Sequence, residues 1–331
     1  MASSAGGKAI ASKMRFPLES MTRLEELEID ALMDMLTCTM LCIRLPYTDE
    51  AMEELRSQLT EKLSIDRVYV IGNLKIAAPR QIDIVLDAIH SLSIQVEKIE
   101  IESSLNSLEQ NDWIDKALSF DHLESFRLTL SEANESRKDI IKSILDRSLS
   151  VRRLFITLKD EGSKQCYYDD HLLTDAYLLK LAKTTKEEVI LDFGATSKRL
   201  TPNGMIAAIE ELTKRTHDVK LSLQIYNSKK ARDIKASILS EWNINETINN
   251  EFKPTNKARK EPVMHDQYTI FNDGKSLCIF NGRVLLTLPI MEILDGEQWN
   301  WRRPFTFSIE RIMDKNANSL LNQDTYYADR K

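Results

Sequence analysis

The stretch 151-VRRLFITLKD-160 alternates apolar and polar side chains, and 123-LESFRLTLSE-132 does so with nearly the same grammar. Alternation at period two marks a strand with one packed and one solvated face. Written as Φ-x-x-Φ-x-Φ, with Φ apolar, the pattern is met by Val151-Leu154-Ile156 and by Leu123-Phe126-Leu128. It recurs at Cys38-Leu41-Ile43, Ile65-Val68-Val70 and Val96-Ile99-Ile101, and in shorter copies at Val189-Leu191 and Leu221-Leu223. The copies follow one another at roughly 30-residue intervals, a period typical of repeat architectures.

Between the strands the apolar period switches to 3.6. In TDEAMEELRSQLTEKL, Met52, Leu55, Leu59 and Leu63 share one helical face behind a Thr48 cap, with early acidic residues suited to the helix dipole. PRQIDIVLDAIHSL carries Ile82, Val85, Leu86 and Ile89 in the same way, and RKDIIKSILDRSL carries Ile140, Ile141, Ile144 and Leu145. In LTPNGMIAAIEELTKR, Thr201 is the cap and Pro202 takes the first helical position, where a missing N–H costs nothing.

Strand-helix alternation of this kind fits two α/β architectures. A doubly wound sheet buries both faces of its strands and wants near-continuous apolar runs. A leucine-rich-repeat-like αβ solenoid of about seven units leaves one strand face open. Polar residues in the intervening slots, among them Glu100, Arg127 and Thr129, favour the solenoid. The doubly wound sheet is the alternative.

The remaining segments divide the chain. Residues 1–15 read as a disordered tail, 16–36 as a helical N-terminal region, 37–242 as the repeats and 243–262, polar and Asn-rich, as a linker or loop. In 263–313, Asp273-Gly274 and Asn281-Gly282 permit the positive φ of tight hairpins and predict a small β-meander. The segment WNWRRPF, with Trp299, Trp301, Arg302 and Arg303, is expected to pin this region to the core. Residues 314–331 read as a flexible tail.

The composition suits a globular protein, at 42% hydrophobic and 29% charged residues, with a formal net charge of −6. That balance offers no basic surplus for nucleic-acid phosphates or anionic membranes. No apolar run is long enough for a membrane helix, and the first residues lack a secretory core, so an intracellular site, cytoplasmic or nuclear, is expected. The four cysteines, Cys38, Cys42, Cys166 and Cys278, are too scattered for a disulfide framework; buried thiols are expected at Cys38 and Cys42.

Motifs for chemistry are lacking. With nine glycines there is little material for a phosphate loop, and neither nucleophile motifs nor metal-ligand spacings stand out, so no catalytic residue, metal or cofactor is assigned. Were the sheet doubly wound, an enzyme site would fall near Gly72, Ser103 and Gly194, beyond strand C-termini. Otherwise function falls to the open face, whose outward slots hold Cys42, Tyr69, Glu100, Arg127, Phe155, Ile190 and Ser222, flanked by Arg67, Lys98, Arg153 and Glu188. Such a mixture of aromatic, aliphatic and charged groups suits a protein partner. Arg67, Tyr69, Lys98, Glu100, Arg127, Arg153, Phe155 and Ile190 are the candidate contacts.

The chain also resembles the F-box-associated proteins expanded in nematodes, including those with an FTH domain. Phe16-Pro17-Leu18 stands where their F-box opens, and TRLEELEIDALMDML, read as helical, follows it. The repeats and the FNDGKSLCIFNGR region are similar in layout to the family's αβ repeats and terminal β-rich segment. Ser20-Met21 stands where members carry Leu-Pro, so the F-box reads as degenerate or absent. The resemblance implies a substrate-recognition adaptor of a Skp1–cullin ubiquitin ligase, with Phe16, Pro17 and Leu18 contacting Skp1 and the open face selecting the target. A non-ligase scaffold subunit is the alternative, and an α/β enzyme a second one.

Overall fold

Ile99, Phe126, Leu154, Val189 and Leu221 stand side by side across neighbouring strands, as do Ile101, Leu128, Ile156, Leu191 and Leu223. These two apolar ladders organise a fourteen-stranded sheet in a computed structural model of the chain. The structure describes residues 22–32, 35–38, 40–46, 48, 51–77, 81–104, 112–131, 146–147, 151–158, 174–192, 200–225, 228–244, 263–265, 268–272, 276–289 and 305–312.

In chain order, a meander of β1 (Thr22–Leu32), β2 (Met35–Cys38) and β3 (Ile43–Pro46) comes first. Strand-helix units follow: α1 (Ala51–Ile65), β4 (Val68–Ala77), α2 (Ile82–Ser91), β5 (Gln95–Ser104), α3 (Asp112–Leu118), β6 (Ser125–Ser131) and β7 (Arg153–Leu158). After them stand α4 (Asp175–Thr184), β8 (Glu188–Asp192), α5 (Pro202–Thr213), β9 (Val219–Ile225) and α6 (Ser228–Glu241). The C-terminal strands are β10 (Val263–His265), β11 (Tyr268–Asn272), β12 (Ser276–Phe280), β13 (Val284–Pro289) and β14 (Phe305–Arg311).

Strands β4 to β9 are parallel and stand in sequence order, with β1 parallel to β4 on one flank. An unreversed order has no switch point of the doubly wound kind. The described helices between the parallel strands turn their apolar sides to the two ladders, on one face of the sheet. The buried side of each helix joins the ladders in a single core: Leu55, Leu59 and Leu63 from α1, Val85, Leu86 and Ile89 from α2, Met205, Ile209 and Leu212 from α5. The chain is thus α/β with a large, mostly parallel open sheet.

The ladder starts earlier than the sequence reading had it. Leu27 pairs with Leu74 and Ile29 with Ile76, and these pair with Ile99 and Ile101. Residues 22–32 and 35–36 are therefore strand, and the expectation of a helical region over 16–36 is overturned there; residues 16–21 lie outside the described residues. Leu24, Leu27 and Ala31 fit a helical face as well as Leu27, Ile29 and Ala31 fit a strand; pairing with β4 decides. Leu24-Leu27-Ile29 and Ile71-Leu74-Ile76 are true copies of the pattern. Ile65-Val68-Val70 is six residues too early, and Ile65 is the last residue of α1. Cys38-Leu41-Ile43 is not one strand either, since Met40, Leu41 and Cys42 form the turn between β2 and β3.

At the far end, the predicted meander is present as antiparallel pairs β10–β11, β11–β12 and β12–β13. The Asn281-Gly282 turn has φ +81° at Gly282, and the Asn281 side chain accepts the N–H groups of Arg283 and Val284 at 3.1 and 2.7 Å. The strand that joins the parallel block is β14, antiparallel to both β9 and β13, which the sequence reading missed. The buried Arg311 ties this junction by donating to the carbonyls of Arg215 and Arg283. The helix read across 137–149 lies outside the described residues, apart from helical positions 146–147, as do Asp273-Gly274, WNWRRPF up to the Phe305 that opens β14, both tails and most of the linker.

Candidate functional site

Between the two apolar ladders runs a third row, on the opposite face. Glu28, Lys75, Glu100, Arg127, Phe155, Ile190 and Ser222 are direct neighbours from β1 to β9. The row continues through Ser308 on β14 to Thr287 and Cys278. Because side chains alternate along a strand, burying one set commits the other to this side. Leu128 is fully buried while Arg127 is exposed. Phe155 and Ile190 are half-buried, and the Arg127 guanidinium stands 4.8 Å from the centroid of the Phe155 ring.

A flanking row, two residues earlier in each strand, holds Glu26, Asn73, Lys98, Ser125, Arg153, Glu188 and Lys220. Lys75 crosses to it and pairs with Glu26 at 2.8 Å, which holds the Glu26 carboxyl below and the Lys75 ammonium above their ordinary values. Asn73 donates to Glu100 at 3.3 Å, and Lys220 pairs with Glu188 at 2.8 Å. At the strand starts, Arg23 forks onto Glu97 at 2.6 and 2.9 Å, pushing that carboxyl down. Backbone bonds repeat there from unit to unit: Glu124 N–H to Glu97, Arg153 to Glu124, Glu188 to Arg152, and Lys220 to Glu187, at 2.7–3.1 Å.

Of the candidate contacts read from sequence, Lys98, Glu100, Arg127, Arg153, Phe155 and Ile190 come together on this face. Arg67 and Tyr69 do not belong to the rows. Arg67 is the left-handed residue (φ 50°) that ends α1, and Tyr69 falls at a register shift in β4, between Val68, which pairs with Thr22, and Val70, which pairs with Arg23; Lys75 occupies the slot assigned to Tyr69. Cys42 is exposed in its hairpin turn at φ 55°, not buried; Cys38 is buried, and burial pushes its thiol up. Phe16, Pro17 and Leu18 lie outside the described residues. Glu28, Lys75 and Ser308 were missed, although the same Φ-x-x-Φ-x-Φ test finds the first two once Leu24 and Ile71 begin the copies.

The face is not open throughout. On its side of β12 and β13, Cys278, Phe280 and Leu285 form a second small buried cluster with Ile312. Toward the starts of β7–β9 lies a shallow cavity of about 670 Å³, lined among others by Arg152, Arg153, Glu187, Glu188, His217 and Lys220. Glu187 pairs there with Arg152 at 2.5 Å and Arg153 at 3.2 Å.

Of the positions suggested for an enzyme site, two lie among the described residues. Gly72 lies inside β4, where the β1 backbone passes so close that a Cβ would be 2.8 Å from the Glu25 carbonyl. Ser103 is in β5, and Gly194 is outside the described residues. His90 is packed: its ring stacks on Phe120 at 4.1 Å and its Nε2 bonds the Lys116 carbonyl at 2.9 Å. Among the described residues no three His, Cys, Asp or Glu groups are placed to hold a metal ion, and no helix is long and apolar enough to cross a membrane. No protein-family model matches the chain, and neither curated proteins nor solved structures matched it on comparison.

Proposed function

We propose that the chain is a non-catalytic protein-binding module, a leucine-rich-repeat-like αβ solenoid that offers its uncovered sheet face to a partner. The observation that carries this reading is the row Glu100–Arg127–Phe155–Ile190, in which charged, cationic-aromatic and aliphatic groups adjoin on rigid strands. Aromatic and Arg side chains concentrate binding energy at protein interfaces. Strand positions also hold them with little motion left to lose on binding.

The test is affinity capture from a native extract with the wild-type chain and a Phe155→Asp/Ile190→Asp variant that keeps its thermal transition. Loss of the captured proteins with the variant is the expected result. An unchanged set sinks the reading. A small-ligand thermal-shift panel addresses the enzyme alternative, and a reproducible stabilisation by one metabolite class counts for it.

A second reading, the Skp1–cullin adaptor, has support from one observation: strand-helix units followed by an antiparallel terminal sheet match the layout that the resemblance implies. Strands at 22–32 and 35–38 leave no helical bundle there. Co-expression with Skp1, with and without Phe16→Ala/Leu18→Ala, decides it. Co-purification abolished by the pair of changes supports the adaptor; folded chain that ignores Skp1 leaves a scaffold subunit.

A further inference from the structure

Charge is unevenly spread over the open face. Across β1, β4 and β5 the outward rows carry Glu26, Glu28, Asp30, Glu100 and Glu102 against only Lys75 and Lys98. Lys75 is already held by Glu26 at 2.8 Å, and Glu100 takes the Asn73 amide at 3.3 Å, so these carboxylates are anchored rather than free-swinging. Beyond Arg127 the character changes. Phe155 and Ile190 present adjoining half-buried apolar surface, flanked along their strands by Arg153 and Thr157 and by Glu188 and Asp192, so that beyond Arg127 cations and carboxylates balance around an apolar centre.

The two zones have a fixed separation. Five inter-strand steps lead from β1 to β8, so Glu28 and Ile190 are roughly 24 Å apart at about 4.8 Å per step. An extended segment of about seven residues covers that distance. We infer that the partner is a protein segment of this length that crosses the strands, with Lys or Arg side chains over the β1–β5 carboxylates and a bulky apolar side chain seated on Phe155 and Ile190. Arg127, standing over the Phe155 ring, marks the boundary between the two zones. It repels a cation placed one strand too far, which fixes the direction in which the segment lies. This inference rests on the reading of the face as a protein-binding surface.

The probes are two labelled peptides of equal length and equal apolar content, ending in Leu and Phe, one with a block of lysines at its other end and one with glutamates there. Fluorescence anisotropy with the full chain is expected to show binding of the basic peptide that weakens about tenfold between roughly 0.05 and 0.3 M salt. Glu28→Lys/Glu102→Lys is expected to weaken it at least about tenfold, and Glu28→Gln/Glu102→Gln by a smaller factor. Glu53→Lys/Glu61→Lys on the outer side of α1 serves as the control and is expected to leave it unchanged. Preference for the acidic peptide, or binding indifferent to the β1–β5 reversal, overturns the inference. So does binding of neither peptide; if Phe155→Asp/Ile190→Asp still loses captured proteins, the module reading survives that failure.

Discussion

Asp175 begins α4 yet holds the cap of α5: its carboxylate accepts the Thr201 N–H at 2.7 Å and the Thr201 hydroxyl at 2.5 Å. Thr201 in turn accepts the Gly204 N–H at 3.1 Å, while α4 itself is capped by Thr174. The start of one unit's helix is thus locked to the start of the next. This contact needs Gly204, because a Cβ there would meet Asp175 Oδ1 at 2.0 Å. Gly204→Ala is expected to lower stability by about 2 kcal/mol in urea denaturation, although Ala is the better helix former. In an Asp175→Ala background the same change is expected to cost nothing or to stabilise. A penalty that persists in the double variant means that α5 is not seated on Asp175.

Neighbours on β6 test whether one sheet face is solvated. Leu128 is fully buried in the helix-side ladder, and Arg127 is exposed on the other side. Leu128→Asp is expected to cost several kcal/mol, on the order of 3 or more, since the charge has no partner there. Arg127→Ala is expected to stay within about 0.5 kcal/mol. Comparable losses from the two changes would show both faces buried.

How much of this was legible in the sequence depended on which physical force set each element. Strands β5 to β9 and helices α1, α2 and α5 were readable because their apolar spacing is sharp and long. The ladder Ile99–Phe126–Leu154–Val189–Leu221 came directly from it. The first copies were misplaced because Cys38-Leu41-Ile43 satisfies the spacing while a turn at Met40–Cys42 breaks the strand. β1 was lost because Leu24, Leu27 and Ala31 suit the helical period as well as Leu27, Ile29 and Ala31 suit the strand period. β14 was lost because an antiparallel partner for β9, drawn from some 80 residues away in sequence, leaves no local signal. The uneven charge of the face depends on cross-strand neighbours and could not be read before the register was known.

Helix ends offer a gain in stability. Ser93 has φ 55°; its N–H reaches the His90 carbonyl at 2.9 Å and that of Ile94 reaches Ile89 at 3.3 Å. Asn243 repeats the motif, at φ 52°, with Ile244 bonded to the Leu239 carbonyl at 2.8 Å. Left-handed closing residues of this kind are usually Gly. Ser93→Gly is expected to raise stability by about 0.5–1 kcal/mol, and Asn243→Gly by less, since Asn tolerates the conformation. Ser93→Ala, measured by the same thermal melt, is expected to give no gain.

Lys235 on α6 is buried, and desolvation pulls its ammonium down to about 8. Because the folded value lies below the unfolded one, the folded chain binds fewer protons between about pH 8 and the ordinary Lys range. Stability therefore carries a penalty below pH 8 that is relieved as pH rises toward 10. Lys235→Met is expected to remove this slope and to stabilise the chain by roughly 1–2 kcal/mol at pH 7. A slope unchanged in the variant assigns it to another group.

The N-terminal strand allows a last discrimination. Ile29 is fully buried and lies opposite Ile76, while Glu28 faces outward beside Lys75. If β1 is an integral member of the sheet, Ile29→Asp introduces an uncompensated charge beside β4, at a cost of about 3 kcal/mol or more. Its unfolding must then remain one transition with the rest of the sheet, shifted to lower urea, whereas Glu28→Ala shifts it little. A separately folding helical region over 16–36 would behave differently: Ile29→Asp would leave the main transition in place. Circular dichroism followed through the urea titration separates the two, and an unmoved midpoint would detach β1 from the sheet.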